Sequence, residues 1–70
     1  MEESVFYVPN VEHEADKQRI EQYLKNLQGI FSVHIDTANH TIQIYHSRTM
    51  TRRELSRSLN RLGFPEQLIA

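Results

Sequence analysis

In residues 11–24, VEHEADKQRIEQYL, an imidazole and three carboxylates crowd the start of an amphipathic run. His13 and Asp16 stand three positions apart, and at a helix start that spacing puts both side chains on one face. An imidazole nitrogen with carboxylate oxygens is a donor set for borderline divalent ions such as zinc, nickel or cobalt. Glu12 and Glu14 flank the pair and could complete its shell. The same acids have a plainer use, because negative side chains in a first helical turn are favourable by about 0.3–1 kcal/mol with no ion present. Residue chemistry alone leaves both uses open.

The bulk composition narrows the setting. A chain of 70 residues makes one domain, residues 1–70, with a thin core, since a fold this small buries only about 60% of its unfolded surface. There is no cysteine, which removes disulfides, thiolate ligands and the usual soft donors for Cu(I). A formal net charge of -1 gives no global basic field, so no nucleic-acid partner is expected. No stretch approaches the roughly 20 apolar residues that span a bilayer, so no membrane insertion is expected. MEESVFYVPN begins acidic and has no apolar run ending in small residues. A cytoplasmic protein without a secretory leader is the expectation.

The elements that must position His13 follow from periodicity. SVFYVPNV reads as a strand rich in β-branched and aromatic residues, stopped by Pro9-Asn10. From Ala15 to Gln28 the pattern is helical, with Ile20, Tyr23, Leu24 and Leu27 on one stripe and Gly29 at the stop position. FSVHIDT alternates, setting Val33 and Ile35 against His34 and Asp36; TIQIYH does the same with Ile42 and Ile44 against Gln43 and Tyr45. TANHT between them is a turn by composition, so the pair forms a hairpin. Thr51 and Glu54 make a capping box for a second helix with Leu55, Leu59 and Leu62 buried, ended by Gly63. PEQLIA supplies at most one short final strand.

The order is β-α-β-β-α-β, an α+β ferredoxin-like sandwich with a four-stranded antiparallel sheet and two helices on one face. Strand directions then bring Pro9–Glu14, Thr37–Thr41 and Gly63–Pro65 to a common edge. His13 and His40 share that edge. His34 lies mid-strand on the open face, and His46 belongs to the opposite end as a surface histidine.

At this level the chain resembles the heavy-metal-associated domains, the fold of small copper chaperones and of N-terminal modules of metal-pumping ATPases. Their pattern runs from a strand ending V-x-G-M, through x-C-x-x-C and I-x-x-x-L-x-x-L-x-G-V, to a valine-rich hairpin and a late helix closing G-Y or G-F. The matching stretches here are VPNV, EHEAD, IEQYLKNLQGI, FSVHIDTANHTIQIYH and MTRRELSRSLNRLGF, covering about Val5 to Phe64. The departures fall on the functional positions. Asn10 takes the glycine position, Val11 the methionine position, and His13 and Asp16 the two cysteine positions.

The resemblance implies a small metal-binding or metal-trafficking domain rather than an enzyme, holding a divalent ion on His13 and Asp16. His40 would be auxiliary, with Glu12 or Glu14 filling in and a metal-transporting ATPase or other protein as partner. The competing reading is a cysteine-free member that keeps the scaffold without the ion. Such a module would dock proteins through the open-face Tyr7, His34 and Tyr45 or through the arginines of TRRELSRSLNRL. Phe64 and Val11 read as core plugs beneath the loop. No nucleophile sits in an activated context, and the anionic PNVEHEAD is unsuited to cradling phosphate, which sets aside an acylphosphatase-type activity on the same topology.

Overall fold

The computed structural model describes residues 1–68. Its elements in chain order are β1 (Glu2–Tyr7), α1 (Glu14–Lys25), β2 (Ile30–Asp36), β3 (Thr41–His46) and α2 (Arg52–Leu62). The strands form one antiparallel sheet in the order β1-β3-β2. Register follows the expected alternation: Phe6 pairs with Ile42 and Ser4 with Ile44, while on the opposite face Val5 and His34 both flank Gln43.

The inward residues build a core with Ile20 and Leu24 of α1 and Leu55 and Leu59 of α2. Phe6, Ile42 and Ile44 are fully buried, as are Val8 and Val11 beyond the end of β1. Phe64 joins the same cluster. Val11 and Phe64 are therefore core plugs, and Arg19 lies over the Phe64 ring at 5.9 Å.

Both helices have identifiable ends. Thr51 caps α2, its hydroxyl accepting from the Glu54 amide at 3.2 Å. Gly63 closes it in the left-handed region at φ 98, where a side chain would be strained. Helix α1 stops at Lys25, earlier than the apolar stripe suggests, because Asn26 takes the C-cap and its side-chain amide donates to the Gln22 carbonyl at 2.9 Å. Gly29 serves the following turn instead, with φ 94 and Ser47 Oγ only 2.9 Å from where a Cβ would stand.

The expected fourth strand is not shown among the described residues. Among the described residues the sheet has three strands, and Gly63–Leu68 run outside any strand; Ile69 and Ala70 of PEQLIA lie outside the described residues. One backbone bond, Gln67 N–H to the Tyr7 carbonyl at 2.9 Å, ties this segment to β1. A side chain takes the place of further pairing. Arg52 donates to the Val5 carbonyl at 2.8 Å and holds the Glu66 carboxylate with both its terminal nitrogens. The guanidinium also stacks 4.3 Å over the Phe6 ring, and Ser56 Oγ donates to Glu66 at 3.3 Å. Pairing with Glu66 raises the guanidinium pKa above its ordinary value. With Pro65 unable to donate and Arg52 on the β1 carbonyl, a ladder has little left to use.

Candidate functional site

The edge predicted to carry chemistry is built by the loop after β1, the start of α1 and the turn between β2 and β3. Val8 N–H donates to the His40 carbonyl at 2.7 Å, and Val11 N–H to the Val8 carbonyl at 3.1 Å. His40 adopts a left-handed backbone, φ 58, which the tight turn demands and histidine tolerates better than branched residues. Its Nδ1 lies 2.7 Å from the Val11 carbonyl. A carbonyl can only accept, so Nδ1 carries the hydrogen and in the neutral ring Nε2 keeps its lone pair. Tyr7 packs edge-on against this imidazole, centroids 6.3 Å apart. The hairpin turn and the loop therefore meet, as strand direction requires.

His13 is the N-cap residue of α1, and its side chain is 78% exposed. Asp16, in the third helical position, turns Oδ2 back to accept from the Glu12 and His13 amides at 3.2 and 3.1 Å. The pair stands in a capping-box arrangement, yet the imidazole makes no capping hydrogen bond of its own. Glu12 Oε2 is 3.9 Å from His13 Nε2, and both side chains are largely in solvent. Glu14 is exposed in the first turn of α1. The structure thus brings Glu12 to His13 and fixes Asp16 beneath them. Among the described residues no three ligating side chains gather around one point.

The open sheet face carries the other three residues singled out above. Tyr7 and Tyr45 are half-buried there and His34 is exposed. His34 meets Tyr45 edge-on at 6.1 Å. Gln43 Nε2 donates to the Tyr45 oxygen at 3.1 Å and to the Glu3 carboxylate. Hydrogen bonding to Glu3 holds the Tyr45 phenol above its ordinary pKa. Val5, 49% exposed, lies on the same face, and Phe31, 61% exposed, marks the irregularity in β2 at one end of it.

His46 departs from expectation. It is buried, with Nδ1–H donating to the Ser47 carbonyl at 3.0 Å and Nε2 accepting from the Ser4 hydroxyl at 2.8 Å. The signal was present in the alternation, since Ile42, Ile44 and His46 are in phase, as are Ser4 and Phe6. The Arg52–Glu66 clamp left no comparable trace, because it joins residues far apart in any periodic pattern.

Comparison with known proteins agrees with this architecture. The fold matches a copper-binding domain of HMA7, a P-type ATPase, with a TM-score of 0.88 over 100% of this chain and 96% of that one at 15% identity. It matches the CopZ metallochaperone at 0.87, covering 94% of this chain and 100% of that one at 13% identity. The Atx1–Cu(I)–Ccc2a complex gives 0.86, 97% and 94% coverage and 18% identity. No protein-family model matches the chain, and no curated protein matches its sequence. The fold is that of the heavy-metal-associated domains, and this chain carries it with no cysteine.

Proposed function

We propose that this chain works as a single cytoplasmic metal-handling module, taking a divalent ion such as zinc, nickel or cobalt at the edge where α1 begins. One observation carries the reading: the Val11 carbonyl holds His40 by Nδ1, so an imidazole with a free Nε2 is tied from the hairpin turn to the loop that leads into His13. That hydrogen bond is the kind that orients a ligating histidine and fixes its tautomer. His13 is the principal ligand and Asp16 the second, through Oδ1, which its backbone bonds leave uncommitted. His40 is auxiliary, and Glu12 or Glu14 supplies a further oxygen. Oxygen and imidazole donors favour borderline ions over the Cu(I) handled by thiolates. So exposed a site stays open to ligands from a partner, such as a metal-transporting ATPase or another protein. The copper-binding domain of a P-type ATPase and the Atx1–Cu(I)–Ccc2a complex among the structural neighbours support that context.

The commitment of Asp16 Oδ2 to two amides favours a second reading, a metal-free interaction module docking through Tyr7, His34 and Tyr45. Zinc titration followed by NMR separates the two. The metal reading predicts shifts confined to residues 10–16 and 38–41 that disappear in His13→Ala. A silent titration up to near-millimolar zinc contradicts it and leaves the interaction module.

A further inference from the structure

Helix α2 carries Arg53, Arg57 and Arg61 at intervals of four, all exposed. The spacing makes a single strip, its members about 6 Å apart along the axis. None of the three takes part in a salt bridge or side-chain hydrogen bond among the described residues, whereas their neighbour Arg52 is fully engaged by Glu66 and Val5. Glu54, the only acid of α2, receives a hydrogen bond from the Thr51 hydroxyl instead.

This arrangement works against the helix that bears it. Arg53–Arg57 and Arg57–Arg61 are like-charge pairs one turn apart, each destabilising, and Arg53 adds a cation to the first turn, where the helix dipole disfavours it. Both helices place a cation in the last turn, where the dipole favours it. Lys25 of α1 is paired to Glu21 at 3.5 Å, whereas Arg61 of α2 has no such partner among the described residues. A local rule broken with no compensating contact points to a demand from outside the chain.

We infer that the Arg53–Arg57–Arg61 strip is a docking surface for an acidic helix of a protein partner. Carboxylates repeating every fourth residue on such a helix match the strip in spacing, and Arg binds carboxylate through paired donors. The strip suits a nucleic acid less well. Helix α2 has no aromatic residue on which bases could stack, and the net charge of -1 with the acidic start of α1 repels an extended polyanion. The inference does not depend on ion binding, because it concerns residues 53–61 rather than 10–16 and 38–41.

The test is an NMR titration of the whole chain with a synthetic helical peptide bearing Glu at every fourth position, run beside single-stranded RNA of equal charge. The expected result is peptide-induced shifts on residues 53–61, weakened about tenfold in Arg57→Glu and suppressed by about 0.5 M salt. No shifts, shifts centred on the loop edge, or tighter binding of the RNA each overturn the proposal. Melting of Arg57→Glu gives a second readout. Replacing two repulsive Arg–Arg spacings by attractive ones outweighs the one Glu54–Arg57 spacing that becomes repulsive, so the melting temperature rises. A lower value would make Arg57 part of the fold's own support, also overturning the inference.

Discussion

The two helices begin in different ways. At α2, Thr51 accepts from the Glu54 amide, and Arg52 just inside it is locked to Glu66, Val5 and the Phe6 ring. At α1, the N-cap position holds His13, whose ring is exposed and makes no capping bond, while Asp16 alone serves the amides. Ser, Thr, Asp or Asn would cap that position better than imidazole. One start is built for stability; the other leaves an exposed imidazole at the position where a capping side chain would do more for the helix. The difference teaches that sites worth testing are those where the stable choice was available and was not taken.

The sharpest way to break this contrast is at the clamp beside α2. Glu66→Ala removes the partner of a guanidinium that lies over the core, so we expect a loss of about 1.5–3 kcal/mol in denaturant unfolding, with Glu66→Gln recovering part of it. A loss below about 0.5 kcal/mol would mean that Arg52 simply turns to water and the clamp is incidental.

The caps follow with effects of opposite sign. Thr51→Ala should cost about 1 kcal/mol, read as a lower denaturant midpoint at unchanged slope. His13→Ser should stabilise by about 0.5–1 kcal/mol while losing any response to zinc. If His13→Ser instead destabilises, the imidazole supports the fold and the contrast fails.

The smallest effect belongs to the hairpin turn. Asp36 Oδ2 accepts from the Asn39 side chain at 2.7 Å, and Oδ1 from the Asn39 and Ala38 amides. The Asn39 side-chain bond, more than either backbone bond singly, depresses the Asp36 carboxyl pKa below its ordinary value. A depressed folded value means this stabilisation is present above the unfolded-chain pKa of about 3.9 and is lost as pH falls through the folded value. Asn39→Ala should move the Asp36 carboxyl carbon titration upward toward the ordinary range. An unchanged titration would show that the backbone bonds alone suffice.

Much of the scaffold was legible in sequence because it rests on local rules. Alternation set Ile42 and Ile44 inward and Tyr45 outward, and Thr51, Glu54 and Gly63 bounded α2. The clamp that ties residues 63–68 to β1 was not legible, since it depends on Arg52 reaching the Val5 carbonyl, a contact 47 positions long. Asp16 could be placed at the helix start from its type, yet its turn toward the Glu12 and His13 amides is a choice between two oxygen-seeking partners that composition leaves undecided. His46 was hidden for another reason: polar type suggested the surface, and strand phase, which put it inside beside Ser4, was the better guide.

The most direct test of the account follows the side-chain imidazole resonances during zinc titration of the intact protein. His13 and His40 should shift together with one common affinity, while buried His46 and open-face His34 stay unchanged. Independent shifts at His34, or no change at His13, would contradict a shared site at the start of α1.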